Sequence, residues 1–489
     1  MPANPLFLIV VFDGLRPDMV APELTPNLIR FKLRGCNFPA SRAVFPTMTR
    51  VNVTALATGS VSGAHGIVAN NFYDPTVYSD DLVYGNKCTD IEAGQAAYGG
   101  RFVTAPSLGE LLAEQGLSLA IVSTGTGGSA RLLNPRAGDL GQVTLCLREW
   151  EASTPLNYAA DLLKTLGPIP PAGRPNSARL RLQTDLFLEK VFPQIRPDIS
   201  ILWYSDPDST CHNCGIGSPE THKAIHNADT EFGRILDWWQ DSELQERLQI
   251  IVLSDHGHLT ARRKISINDE LAGAGFRFEH KIGDGADFVG SLAYTGAVWV
   301  RDRDRGLMTR FVEWLFKQPW CGMIFTPGAD GVEGGIPGTF NRSIVMANHQ
   351  RAPEIYYIMR NDNSVDSNGI VGGCYFSDPY PEGGSVHGGL HAKELNNVFM
   401  ACGSSFKEGF SSETPAGIID VAPTVLHLLG LPRPSVMNGR VLGEAIADSG
   451  LDAPTVDRLD FSVGIPPRKQ CLSASRIGST LYCDSGWIE

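Results

Sequence analysis

Three carboxylates and three imidazoles stand where apolar runs of the sequence end. Asp13 follows Pro5–Phe12. Asp206-Pro207-Asp208 comes just after Ile199–Tyr204, and His212 lies four residues beyond Asp208. Ser254-Asp255-His256 follows Gln249–Leu253. His387 sits in Ser385-Val-His-Gly-Gly-Leu390, ahead of another apolar run, Asn397–Ala401. Carboxylate oxygens and neutral imidazole nitrogens are good zinc ligands, and six such groups suit two ions better than one. Without cations, three gathered carboxylates would repel one another and raise their own pKa values.

A hydroxyl accompanies them. In Phe45-Pro-Thr-Met-Thr49-Arg50-Val-Asn52, the following Val53–Thr58 reads as a short helix stopped by Gly59. Thr49 then lies at a helix N-terminus, where backbone N–H groups favour an anion. A hydroxyl is a weak nucleophile at neutral pH, and contact with a divalent ion makes its alkoxide accessible. The combination describes phosphoryl transfer through a covalent phospho-threonine, the in-line displacement clamped between two ions. Thr47 competes for the role as a turn hydroxyl, and His391 competes with His387. The Thr-Xaa-Xaa-Asn spacing to Asn52 favours Thr49.

The acids need a scaffold that brings strand ends together. Pro5–Phe12, Leu117–Ser123, Ile199–Tyr204 and Gln249–Leu253 are continuous apolar runs of the kind found in buried parallel strands. Helical patterns lie between them, at Ser107–Gln115, Asp161–Leu166 and His222–Gln240. This alternation predicts an α/β fold, a doubly wound and mostly parallel central sheet with helices on both faces. Ligands of such sheets bind outside the carboxyl ends of the strands, where the acids stand. The segment 271–380 is rich in Gly, Pro, Asn and Asp, and reads as an inserted cap or lid. Ala297–Val300 and Glu354–Ile358 are short strands within it. The core then comprises 1–270 and 381–445. Ile418–Leu429 reads as a helix with Asp420 as its N-cap, and 446–489 reads as an irregular tail.

The ordered motifs resemble those of the alkaline phosphatase superfamily, and within it the nucleotide pyrophosphatase/phosphodiesterase branch and its relative phosphonoacetate hydrolase. The matching pieces are Val11-Phe-Asp13-Gly through Asp18, Pro46-Thr-Met-Thr49, Thr58-Gly59 through His65 to Asn70-Asn71, Asp206 through His212, Ser254-Asp-His-Gly257, His387-Gly-Gly-Leu390, and Asp420 through Leu426. They cover about residues 5–270 and 385–445, in family order. The resemblance implies that Asp208, His212 and His387 hold one metal ion. Asp13, Asp255 and His256 would hold the other, with Thr49 bridging to it as nucleophile. It implies two zinc ions, and it makes Asn70 rather than Asn71 the donor to a non-bridging phosphoryl oxygen. The chain departs from the branch after the nucleophile, where an aromatic residue and a proline are usual. Here Arg50 and Val51 follow. Arg50 could hold an extra phosphate oxygen or a substrate carboxylate, so a phosphonoacetate-type C–P hydrolase or a phosphomonoesterase is the alternative to a phosphodiesterase.

The chain has 489 residues, 43% of them hydrophobic and 19% charged, which gives ample apolar content for a core. Lys+Arg 41 against Asp+Glu 53 gives a net charge of -12, which disfavours a nucleic-acid polymer as partner. The expected partner is a small phosphate or phosphonate ester. No apolar run has the length of a membrane span, and Leu6–Phe12 reads as a first strand rather than a leader. Ten scattered cysteines do not form a disulfide scaffold. These features predict a cytoplasmic protein. The i,i+4 pair His222 and His226 has no acid on its face and reads as an ordinary helix surface.

Overall fold

The computed structural model describes residues 4–279 and 285–489; the rest of the expected cap, 280–284, lies outside the described residues. Among the described residues the central sheet has eight strands. In chain order they are β1 (Leu6–Phe12), β2 (Cys36–Asn37), β3 (Leu119–Ser123), β4 (Val143–Cys146), β5 (Ile199–Tyr204), β6 (Leu248–Leu253), β7 (Phe399–Cys402) and β8 (Phe410–Ser411). Their spatial order is β8-β2-β7-β6-β1-β5-β3-β4. The pairs β1–β5, β1–β6, β3–β5 and β3–β4 are parallel. β7 runs antiparallel to β6 and to β2, so the run after His387 returns to the sheet in the opposite direction.

Every side chain of β1 is buried, because the sheet is covered on both faces. Phe7, Ile9 and Val11 join one apolar cluster, and Leu6, Leu8, Val10 and Phe12 join the other. That two-sided burial explains the unbroken apolar runs, since neither face meets water. On the second face, α1 (Pro26–Arg34) contributes Leu28 and Phe31. On the first, α2 (Thr49–Thr58) contributes Val51, Val53 and Leu56. α3 (Asp208–Cys214) leaves the end of β5, and α4 (Pro219–Asp241) follows with Ile225, Phe232 and Ile235 in the second cluster. The helix expected from Ser107 begins at Leu108 under a reciprocal Ser107–Glu110 cap.

The segment 271–380 builds a second sheet around Thr295–Val300, Cys321–Thr326 and Ile355–Met359. It packs on the first face of the core, with Phe45 against Phe325 and Tyr356, ring centroids 5.5 Å apart in each pair. The tail is not irregular. Asp457–Ile465, Arg468–Ile477 and Thr480–Ile488 form a three-stranded antiparallel sheet. Its first strand alternates Leu459, Phe461, Val463 and Ile465 with other residues, the period of a strand, in a stretch whose polar and glycine content hides it. Asp420 stands at the expected N-cap position of the helix Val421–Leu428, but its side chain serves the tail. That carboxylate makes no side-chain cap to the helix Val421–Leu428. It accepts from Gly417 N, Arg440 N and the Tyr482 hydroxyl, and so ties the last strand to the core.

Candidate metal and nucleophile site

Register places the acids. Phe12 pairs with Tyr204 and Val11 with Leu253, so β1, β5 and β6 end side by side. Asp13 N donates to Tyr204 O at 3.0 Å, and Asp208 N to Asp13 O at 3.0 Å. Asp13, Asp255 and His256 form one group with ligand atoms within 4.8 Å of one another, and Asp208, His212 and His387 form another. These are the two sets that the resemblance implied.

Within the first group, His256 Nε2 lies 3.2 Å from Asp255 Oδ2 and 3.7 Å from Asp13 Oδ1. Within the second, Asp208 Oδ1 lies 3.1 Å from His212 Nε2 and 3.5 Å from His387 Nε2. The rings of His256 and His387 stack at 3.6 Å and join the groups. His212 is sandwiched from outside by Tyr380 at 4.0 Å, a residue at the end of the inserted segment.

The surroundings fix one atom of each acid and leave another. Trp203 Nε1 donates to Asp13 Oδ2 at 2.9 Å, and Gly14 N to Asp255 Oδ1 at 3.0 Å. Asp13 Oδ1, Asp255 Oδ2 and Asp208 Oδ1 are buried with no hydrogen-bond partner among the described residues. Buried acceptors are normally satisfied, so three orphaned carboxylate oxygens turned into one cluster fit divalent cations. Burial, then the charges of Asp255 and Asp208, raise the Asp13 pKa well above the ordinary value. Burial also raises Asp255. For Asp208 burial pushes upward, but the imidazoles of His212 and His258 outweigh it and hold the carboxyl well below the ordinary value. Burial and the neighbouring His256 push His387 down, toward the neutral form that binds metals.

Thr49 opens α2 as its first residue, with Met48 as N-cap. Its Oγ1 lies 3.2 Å from His256 Nε2. Asn52, three residues on, accepts from Val44 N and donates back to the preceding loop, which holds the helix start in place. Thr47 is a turn hydroxyl: it accepts from Gly388 N and donates to Gly389 O. Its carbonyl accepts from His387 Nδ1 at 2.7 Å. His391 lies apart from both groups and caps a short helix by accepting from Lys393 N.

A cleft of about 1000 Å³ opens over the cluster, lined in part by Thr49, Arg50, Asn70, Asp208, His212 and His387. Asn70 Oδ1 accepts from Arg50 N at 3.2 Å, which directs its amide nitrogen elsewhere. Arg50 Nη2 donates to Thr126 Oγ1, while its Nε has no partner among the described residues. Arg148, Arg174 and Arg179 also line the cleft.

Sequence reasoning passed over His258. It is fully buried, with Nε2 3.3 Å from Asp208 Oδ1, and burial pushes its pKa down to about 4. The signal was its spacing: in an extended segment, residues two apart share a side, so His256 and His258 turn the same way. Trp203 was also passed over as a strand residue. The His226 ring contacts Leu24 O, as an ordinary helix surface would.

The family model described as type I phosphodiesterase / nucleotide pyrophosphatase matches residues 7–309. The chain belongs to the type I phosphodiesterase/nucleotide pyrophosphatase family. A venom phosphodiesterase of Naja atra is 27% identical over 257 residues, covering 52% of this chain and 26% of that protein. Ectonucleotide pyrophosphatase/phosphodiesterase family member 3 of Mus musculus is 25% identical over 259 residues, covering 52% and 25%. The match thus spans about a quarter of each relative. The structure of murine ectonucleotide pyrophosphatase/phosphodiesterase 5, an inactive variant in complex with AMP, covers 91% of this chain and 100% of its own at 17% identity, with a TM-score of 0.62. That likeness shows the alkaline phosphatase-like fold. Both relatives by sequence carry venom or ecto names, which lend no support to a cytoplasmic location. No helix among the described residues is long and apolar enough to cross a membrane.

Proposed function

We propose that the chain hydrolyses phosphate diesters or nucleotide pyrophosphates at a two-zinc site, through a covalent intermediate on Thr49. The observation that carries this reading is the meeting of Thr49 Oγ1 with His256 at the edge of two ligand groups built from distant segments. The donor set of carboxylates and imidazoles suits zinc. Asp13, Asp255 and His256 would hold one ion and Asp208, His212 and His387 the other; bound there, the ions would polarise the phosphoryl oxygens and lower the pKa of the attacking hydroxyl. Thr49 Oγ forms the bond to phosphorus as the ester's leaving oxygen departs, and water then cleaves the phospho-threonine and restores the hydroxyl. The N-terminus of α2 and the Asn70 amide hold the non-bridging oxygens. The murine neighbour's AMP complex favours a nucleotide as one half of the substrate.

The division into a core of 1–270 and 381–445 with an insertion at 271–380 is supported by Leu292, Asp378 and Tyr380, which bring the insertion to the cleft. The ten cysteines are unpaired among the described residues, nine of them buried, which supports a reducing compartment.

A phosphonate or phosphomonoester substrate is the second reading, favoured by Arg50, whose Nε is buried without a partner beside the nucleophile. Comparing kcat/KM for bis(p-nitrophenyl) phosphate, p-nitrophenyl phosphate and phosphonoacetate on one zinc-loaded preparation decides between them. Diester preference, lost in Thr49→Ala, supports the first reading. Full activity in that variant excludes it.

A further inference from the structure

Among the described residues, four imidazoles are built into this cluster in the same manner. His212 Nδ1 is 2.7 Å from Ser385 O, His387 Nδ1 is 2.7 Å from Thr47 O, and His256 Nδ1 is 3.1 Å from Gly257 O. His258 Nδ1 is 3.1 Å from Ser385 Oγ, a hydroxyl that accepts from Nδ1 when Nε2 is the free nitrogen. A partner on Nδ1 fixes the ring and turns Nε2 the other way, which is how ligating histidines are held. Ser385 thus anchors two of the four rings, one by its carbonyl and one by its hydroxyl.

The inward nitrogens share an oxygen. Nε2 of His212, His258 and His387 lies 3.1, 3.3 and 3.5 Å from Asp208 Oδ1. None of these contacts has hydrogen-bond geometry: among the described residues Asp208 Oδ1 has no hydrogen-bond partner, and neither has His258 Nε2. The distances suit hydrogen bonds and the directions do not. Atoms aimed at a common third body stand in this relation. With bonds of about 2.0–2.1 Å, two ligands on a tetrahedral ion are separated by about 3.3–3.4 Å. The backbone makes room for the fourth ring at Gly14, where a Cβ would fall 2.3 Å from His258 Nε2. His258 also joins Asp208 and His256 in a group whose ligand atoms all lie within 4.8 Å, separate from the group of Asp208, His212 and His387, so it stands between the two ligand sets.

We infer that His258 is a seventh protein ligand of the centre, binding the ion carried by Asp208. This rests on the two-ion reading and adds to it. A further nitrogen donor tightens that ion's hold and takes one coordination position from water and substrate.

The test is proton NMR of the full chain loaded with Co2+ in place of zinc. Each imidazole bound through Nε2 keeps an Nδ1 proton, which gives an exchangeable, strongly shifted resonance. The wild type is expected to show four such resonances. His258→Gln is expected to show three, and to hold one of its two Co2+ equivalents at least about tenfold more weakly in chelator competition. Three resonances in a wild type holding two equivalents overturns the inference and leaves the two-ion reading standing. Failure of the wild type to bind Co2+ overturns both. Should the variant not fold, the wild-type count decides alone.

Discussion

Thr49 Oγ1 and His256 Nε2 lie 3.2 Å apart across 207 positions of sequence. Thr49 is fixed by the first turn of α2, and His256 by the end of β6. Thr49→Ala removes the attacking oxygen and is expected to lower kcat on a diester by at least about 10³-fold. Thr49→Ser keeps the oxygen and should retain measurable turnover. Metal content should be close to wild type in both, because the carboxylate and imidazole ligands all remain. Steady-state rates with metal analysis on the same samples check this.

Gly14 turns the chain between Asp13 and the cluster with φ at +72°. A Cβ there would lie 2.3 Å from His258 Nε2 and 3.0 Å from Asp208 Cβ. Gly14→Ala is therefore expected to weaken metal binding and activity together. Gly116 has a similar φ of +68° with nothing within 4 Å of its Cβ. Gly116→Ala should cost about 1 kcal/mol of stability through the backbone alone and leave kcat/KM unchanged. Denaturant melts and chelator competition on the pair separate strain from steric conflict.

Metal removal should destabilise the fold as well as stop turnover. Three buried carboxylate oxygens have no hydrogen-bond partner among the described residues to replace an ion. A ligand present at about 100 times its Kd stabilises by about 2.7 kcal/mol per site. Chelation is expected to lower Tm and abolish activity, with zinc restoring both. An unchanged Tm after verified metal removal would contradict this.

Glu394 gives a pH dependence with a definite sign. It is buried behind the His387 loop, accepts from Gly389 N and the Tyr294 hydroxyl, and has its pKa raised by burial from 4.5 to about 7. The folded state binds this proton more tightly than the unfolded chain. The stabilising contribution is complete below pH 4.5 and is lost as pH rises through about 7. The loss is on the order of 3 kcal/mol. Glu394→Gln should flatten the stability profile across this window, measured by urea unfolding of the metal-free protein at stepped pH.

Two further cleft arginines should act on binding more than on chemistry. Arg148 and Arg179 line the cleft on segments outside the two ligand groups. Changing both to Ala is expected to raise KM about tenfold for a nucleotide pyrophosphate. It should alter KM little for the singly charged bis(p-nitrophenyl) phosphate, because only the first carries extra charge into that part of the cleft. Equal effects on both substrates would contradict this.

Much of the centre was legible because its ligands sit at the ends of elements that announce themselves locally. β1, β5 and β6 are apolar without interruption, since both faces of the sheet are covered, and the acids come directly after them. The i,i+4 step from Asp208 to His212 follows from one turn of α3. Local pattern also announced α2, though only as Val53–Thr58; the structure begins it at Thr49. What it left open were contests between neighbours of the same type. Thr47 and Thr49, or His387 and His391, differ by a few positions in irregular chain, where direction is set by distant partners. Gly388 and Gly389 claim the Thr47 hydroxyl, and Lys393 N claims His391. His258 and the strands of the tail became visible only once long-range packing was in place. A single imidazole has no periodicity to betray it, and it acquires meaning only when Asp208, 50 positions away in sequence, is brought within 3.3 Å. Sequence patterns determine which side chains face inward along one element; which inward atoms meet depends on the register between elements, and that is decided by the packed whole.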